Sequence, residues 1–353
     1  MNRKPNNLSR LLPLLVVSLL LASCEKMLMP SDMEATPTAT FDYLWEKVDQ
    51  QYAFFDVKNV NWDMVRETLR PRVYDDMSDD SLFRVLAAML NTLDDGHVNI
   101  VSPFDMSHCE GVYWRMIYNT NYDANIVKQH YLRTNYHTTG AFVWNRIADG
   151  RVVYIRYGSF SDNANPADFK TVLDANKDAE AIVLDIRQNG GGAILYMWQL
   201  LSCFDHPADM PLYTSQIKSG PAHHEFSDPV TVTAPDTTAA CPPCRLPVAV
   251  LTDRGTYSAG SFFALCAKEY PNITVVGDTT GGGLGLPNGG QLPNGWYYRF
   301  SLTRTLSLDG FNYENGVPPD VVVRLIPGQT SSDNVIDQAC NLLLNINCRV
   351  IGH

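Results

Sequence analysis

From Phe41 onward apolar residues recur at every third or fourth position: Phe41, Leu44, Trp45 and Val48, then Trp62, Val65 and Leu69, then Leu82, Val85, Leu86, Met89, Leu90 and Leu93. That spacing lines one face of a helix, so it predicts helices, with Ser78 or Ser81 capping the last. The pattern closes on Asp94-Asp95-Gly96-His97 and defines a small helical domain over 41–97. Residues 98–150 are rich in Tyr, Asn and Thr and predict a β-rich segment of short strands and loops. From Val152 the period alternates. Strands are expected at Val152–Tyr157, Ala181–Ile186, Leu246–Leu251 and Ile273–Val276, with helices at Asp168–Asn176, Gly191–Phe204 and after Ser258. Such alternation predicts an α/β core over 151–330, built on a parallel sheet covered by helices. Within it Pro207–Pro243 reads as a surface excursion, and Gly289–Leu308 as hairpin material because Asn-Gly favours tight turns. A helix is expected in the closing segment 331–353.

The first residues change the picture. Arg3, Lys4 and Arg10 precede an apolar core, Leu11–Ala22, too short to cross a bilayer stably. The run ends Leu21-Ala22-Ser23-Cys24, which resembles a bacterial lipobox. The resemblance implies that 1–23 is a lipoprotein signal peptide, that Cys24 carries lipid, and that polar 24–40 is a tether to a cell-envelope membrane, on its periplasmic side or at the cell surface. The formal charge is −11, and −14 once Arg3, Lys4 and Arg10 are removed. An exported acidic chain is poorly suited to nucleic acid. Seven cysteines remain besides Cys24, an odd number. Cys241-Pro-Pro-Cys244 is half of a zinc pattern with no second pair to complete it, so a local disulfide or free thiols is expected and no metal or other cofactor is invoked.

Two stretches carry candidate chemistry. In Thr252–Glu269 an apolar strand meets a Gly/Thr/Ser turn and then a helix, which places Ser258 at the helix start. There its hydroxyl is exposed beside free N–H groups, and the Ala259 N–H is positioned to hold an oxyanion. An ordinary N-cap would use the same residue. In Ala181–Gly192 a buried strand runs into Gly190–Gly192, where Gly191 offers a second oxyanion donor at the carboxyl end of the sheet. A phosphate loop is disfavoured because the GK[ST] ending is missing. A serine nucleophile needs a base. Of the 8 histidines, His97 sits on a glycine-pivoted turn between helix and strand. Lys268, ten residues along a helix from Ser258 and so about 15 Å away, is too distant.

These residues resemble the C-terminal processing and tricorn-core serine peptidases. Asp185-Ile-Arg-Gln-Asn-Gly-Gly-Gly192 is similar to their D-x-R-x-N-x-G-G segment, and Thr256-Tyr-Ser-Ala-Gly260 to T-x-S-A-G around the nucleophile. Gly277-Asp-Thr-Thr-Gly281, Gly316-Val-Pro-Pro-Asp320 and Asp95-Gly-His97 match further family segments in order. The resemblance implies the crotonase/Clp-like spiral fold and serine endopeptidase activity on extended or unfolded polypeptides through an acyl-enzyme. Where processing peptidases carry the lysine of their dyad, this chain has Gly283. The tricorn-type arrangement fits instead: Ser258 as nucleophile, His97 as base and Glu314 orienting or hydrogen-bonding the catalytic group. That pattern also has a serine before the histidine, where this chain has Gly96. Processing peptidases insert a PDZ domain after the D-G-H segment, and residues 101–150 are too few for a whole one, so a truncated or missing PDZ module is expected. The rival reading is a non-catalytic lipoprotein that binds peptides or hydrophobic ligands on the same fold.

Overall fold

The computed structural model describes residues 34–118 and 120–350. The leader, Cys24 and most of the tether lie outside the described residues, as does the side chain of Cys348. Near the amino end lie α1 (Pro37–Gln51), α2 (Phe55–Lys58), α3 (Trp62–Leu69) and α4 (Asp79–Asn91). The first begins four residues before the apolar period because Thr36 caps it and Pro37 fits its opening turn. Ser78 caps α4 by accepting from the Ser81 N–H. The chain continues through β1 (Asn99–Val101), α5 (Glu110–Tyr118) and α6 (Ala124–Ile126), which runs into a π-helical turn over Val127–Leu132. Then come β2 (His137–Thr139), β3 (Phe142–Ile147), β4 (Val152–Arg156), α7 (Pro166–Ala175), β5 (Ala181–Asp185) and α8 (Ile194–Leu201). The rest is β6 (Pro211–Ile217), β7 (Val230–Thr233), β8 (Val248–Thr252), α9 (Ala259–Ala267), β9 (Ile273–Gly277), β10 (Pro287–Gln291), β11 (Tyr297–Ser301), β12 (Thr303–Leu306), β13 (Val321–Val322) and α10 (Asn334–Val350).

The main sheet has seven strands in the order β13-β9-β8-β5-β4-β3-β2. From β13 to β4 neighbours are parallel, and β3 and β2 add antiparallel edges. Each residue of β5 and β8 is buried, as expected of parallel strands covered on both faces. Ile182 and Leu184 meet the residues of α7, α8 and α9 on one side, while Ala181 and Val183 meet α10 through Val335, Ile336, Ala339 and Leu343 on the other. This mixed α/β architecture is the one the alternating periods imply.

Two segments differ from the sequence reading. Pro207–Pro243 is no mere excursion, for β6 and β7 in it form a sheet with β12, and Leu212 is fully buried. Within 98–150, α5 and α6 are helical. The aromatic residues Tyr113 and Trp114 favour strand on propensity, but they point outward, while Val112 and Met116, four apart, pack on Tyr257. The tertiary contact decides the backbone. Of the three strands in that stretch, β2 and β3 belong to the main sheet and β1 pairs with β11.

The helical domain is joined to the core by a late hairpin. β11 pairs antiparallel with both β10 and β1, and Trp296, Tyr298 and Phe300 enter the same apolar cluster as Phe41, Leu44, Leu86 and Leu90. Each such burial contributes roughly 1.5–3 kcal/mol. The Ala53 N–H also donates to Ser301 O at 3.0 Å. This seam carries the end of the helical domain, and His97 with it, to the carboxyl ends of the parallel strands. The described cysteines are all unpaired thiols.

Candidate active site

Ser258 opens α9 with φ 54° and ψ −120°, a conformation that side chains other than glycine seldom adopt. Three loops at the carboxyl edge hold it there. The Ser258 N–H donates to Gly282 O and the Tyr257 N–H to Asn189 O, both at 2.9 Å. The Thr256 hydroxyl donates to Ile186 O at 2.9 Å, and the Gly281 N–H to Thr256 O at 2.7 Å. Buried Asp253 gathers the N–H groups of Gly255, Gln188 and Asn121. The turn is therefore tied to the ends of β5 and β9. The Ser258 side chain makes no capping bond.

Its hydroxyl lies 2.9 Å from His97 Nε2 instead, across 161 residues of sequence. The His97 N–H donates to Asp95 Oδ1 at 2.7 Å, and its carbonyl accepts from Arg299 Nε at 3.2 Å, so both sides of the residue are anchored. The ring stands 5.1 Å from that of Tyr257. Burial holds the imidazole pKa below its ordinary value; the Asp95 charge opposes this, and Arg299 and Lys58 reinforce it. Nδ1 is buried and has no partner.

Glu314 reaches the same region from the loop before β13 and is 2% exposed. Its Oε2 accepts from the Leu284 N–H at 2.7 Å, and its Oε1 lies 3.8 Å from Lys58 Nζ. Burial first, then the Asp95 charge, push its carboxyl up to about 8 from 4.5, against the pull of Lys58 and the loop N–H groups. Asp95 Oδ2 in turn accepts from the Tyr52 hydroxyl at 2.9 Å. Asp95 and Tyr52 were not singled out from sequence. Asp95 stands in the same short motif as His97, but Tyr52 carries no signal beyond its place at the end of a helical period.

The oxyanion candidates lie against the nucleophile. A methyl group built on Gly191 (φ +96°) would come 2.8 Å from Ser258 Cβ and 3.0 Å from the Ala259 nitrogen, so only glycine allows this approach. The Ala259 N–H belongs to the first turn of α9, where no carbonyl precedes it in the helix. The Gly191 N–H donates to Asn189 Oδ1 at 3.0 Å in this structure. At Gly283, where a dyad lysine would stand, a Cβ would come 2.5 Å from the Tyr257 ring, so the space for such a side chain is already filled. Lys268 is held elsewhere by Asp320 and Pro318 O. Fully buried Arg187 pairs with both Asp185 and Asp333, which ties β5 to the start of α10. Behind the dyad a cavity of about 400 Å³ is bounded by Lys58, Gly96, Arg254, Tyr257 and Glu314.

The chain resembles known proteins along most of its length. The family model described as peptidase family S41 matches residues 151–323, and that of the tricorn protease C1 domain matches 33–91. A candidate peptidase from Parabacteroides merdae is 34% identical in a solved structure, with a TM-score of 0.79 over 88% of this chain and 97% of that one. Mature CPAF in complex with lactacystin shares 13% identity and the fold, with a TM-score of 0.63 over 90% of this chain and 98% of that one. The carboxy-terminal processing protease CtpB of Bacillus subtilis is 27% identical over 176 residues, which are 49% of this chain and 34% of that protein.

Proposed function

The chain belongs to peptidase family S41, and we propose that it is a serine endopeptidase of tricorn type acting on extended or unfolded polypeptides. The observation that carries this reading is the 2.9 Å contact between Ser258 Oγ and His97 Nε2, made on a strained turn that exposes the hydroxyl. In the proposed cycle Ser258 attacks the scissile carbonyl while His97 takes its proton. His97 then returns the proton to the leaving amine, and water releases the acyl group by the same steps in reverse order. The Ala259 N–H holds the oxyanion. Gly191 serves as second donor if the oxyanion displaces or shares Asn189 Oδ1 as its acceptor. Glu314 makes no direct bond to His97, since its oxygens face the Leu284 N–H and Lys58. A pure binder would have no need of a strained serine against a buried histidine, so the non-catalytic reading gains nothing from this geometry. A serine-directed fluorophosphonate should label Ser258, and mapping the adduct to any other residue would refute the assignment.

Substrate choice follows from the stretch after His97. Residues 101–150 supply α5, α6 and two strands of the main sheet, and nothing among the described residues there resembles a carboxylate-gripping module. Substrates are therefore expected to lie as extended strands beside the catalytic turns, using the open edges of β1 and β10. Amidating the carboxyl end of one unstructured peptide should change kcat/KM by less than about threefold, a difference worth under 1 kcal/mol. A large loss on amidation would reveal a carboxylate pocket.

We further propose that the mature chain begins at lipidated Cys24 and is anchored in a bacterial cell envelope. The support is the lipobox-like Leu21–Cys24 behind a basic, apolar leader. Cys24→Ser should move the protein from the membrane fraction to the soluble one or leave it unprocessed, as read by fractionation and intact mass. An unmodified Cys24 in the mature protein would exclude the anchor.

A further inference from the structure

Tyr257 touches both halves of the dyad. It precedes Ser258 in the chain, and its ring stands 5.1 Å from the His97 ring at an angle of 53°. Its main chain is fixed in the core: the N–H donates to Asn189 O at 2.9 Å, and the residue bridges Gly282 in parallel register. Its buried side chain meets the turn that carries His97, where a methyl group on Gly96 would come 2.8 Å from the hydroxyl oxygen and 3.1 Å from Cζ. On the loop after β9, a methyl on Gly283 would come 2.5 Å from Cζ, and one on Gly281 would come 3.1 Å from Cδ2. Cys109, Val112 and Met116 also pack on the residue. The ring thus lies in a slot that three glycines leave open. Two of them, Gly96 and Gly283, stand where the sequence departs from the serine and the lysine of the two family patterns. One ring accounts for both departures.

To accept the serine proton on Nε2, a neutral His97 must carry its own proton on Nδ1. In a triad an acid accepts from that N–H and so fixes the ring. Here no group among the described residues accepts from Nδ1, and both Glu314 oxygens are turned elsewhere. The bonds from the His97 N–H to Asp95 and from Arg299 to the His97 carbonyl hold its main chain, not its ring. We propose that Tyr257 is the positioning residue of the dyad: its ring, set between the serine turn and the histidine turn, orients the imidazole by packing, as a triad acid does by hydrogen bonding. This rests on the peptidase reading above and names a further part of the same site. In a close-packed interior a ring that fills its slot cannot tilt unless a neighbour moves. The imidazole against it is held in the same way, and with it the 2.9 Å contact to Ser258. The ring also keeps water from the imidazole, in line with the burial that lowers the His97 pKa. The charged groups that act on His97 are Asp95 from its own turn, which favours the proton, and Arg299 from β11 and Lys58 from α2, which oppose it. Asp95 and Glu314 also act on the Tyr257 hydroxyl, and with burial they keep it protonated.

The test measures kcat and KM of full-chain variants on an unstructured fluorogenic peptide, with thermal unfolding on the same preparations. Tyr257→Leu keeps an apolar side chain and loses the planar ring, so kcat should fall about a hundredfold while KM changes by less than about threefold. Gly96→Ala keeps the ring but crowds its hydroxyl, and should cost about tenfold in kcat. Tyr257→Phe removes the crowded oxygen. Alone it should cost about three- to fivefold, and combined with Gly96→Ala it should restore most of what the alanine took. Two further readouts need no peptide. The rate at which a fluorophosphonate labels Ser258 should fall with kcat in Tyr257→Leu. His97, titrated by NMR in the Ser258→Ala background, should have its pKa raised toward 6.5 when Tyr257→Leu is added, because the imidazole gains water. Undiminished kcat in Tyr257→Leu would overturn the proposal. So would a loss carried by KM alone, an unmoved His97 titration, or a Gly96→Ala loss that Tyr257→Phe leaves untouched. If Tyr257→Leu does not fold, the pair of Gly96→Ala and Tyr257→Phe decides. Should the wild-type chain cleave no peptide, the peptidase reading fails, while the labelling rates and the titration still decide on Tyr257.

Discussion

Ser258→Ala is expected to remove peptide hydrolysis while leaving the fold intact. The hydroxyl is the attacking atom in the proposed cycle, and no neighbouring group can replace it: Thr256 donates to Ile186 O and Ser261 to Thr256 O from inside the turn. Loss of such a nucleophile typically lowers kcat by about 10⁴–10⁶-fold, with the remainder coming from binding and oxyanion stabilisation. The stability cost should be small because the side chain caps nothing, and its recorded bond is to His97. Alanine inherits the φ of 54° and the strain with it, whereas Ser258→Gly relaxes that strain and should melt higher by a few degrees, in line with about 1 kcal/mol for a relieved left-handed residue. The measurements are single-turnover hydrolysis and thermal unfolding on the same preparations. Undiminished hydrolysis by pure Ser258→Ala would end the serine assignment, and a large drop in melting temperature would mean that the hydroxyl has a structural task.

Much of this arrangement is legible in the chain, for identifiable reasons. Parallel strands buried on both faces leave continuous apolar runs, so Ala181–Ile186 and Leu246–Leu251 announce β5 and β8 with small errors at their ends. The Ser258 turn is legible because a tight strand-to-helix corner needs small residues, and Gly255, Ala259 and Gly260 surround it. What escapes is whatever depends on distant segments meeting. The helix of α5 is decided by Val112 and Met116 finding Tyr257, and β6 and β7 by β12, which lies far along the chain. Asp95 is visible as a letter two places before His97, but its burial and its bond from Tyr52 exist only in the folded chain. The lysine absent at position 283 is readable, whereas its physical reason, a Tyr257 ring occupying that space, is not.

His97→Ala should reduce hydrolysis nearly as far as Ser258→Ala, and in the wild-type enzyme His97 should set the acid limb of the pH profile. The base must be neutral to accept the serine proton, so kcat/KM is full above the His97 pKa in the free enzyme and falls tenfold per pH unit below it. Burial is the largest influence on that ring and lowers its pKa from 6.5; Arg299 and Lys58 act in the same direction, and Asp95 against them. The limb is therefore expected below pH 6.5, on the acid side of a solvent-exposed histidine. A lysine base would give a limb of the same sense but at far higher pH, with activity still rising in the alkaline range, and the filled space at Gly283 argues against one. In His97→Ala the residual rate should be about 10⁴-fold down or lower, and its acid limb should disappear with the imidazole. Arg299→Gln offers a gentler check, since it removes one positive charge beside the ring and should move the limb upward in pH. The profile is to be taken with a substrate that has no ionising group between pH 4 and 9. A limb that stays in place in His97→Ala, or a His97→Ala enzyme that keeps its rate, would assign the base to another residue.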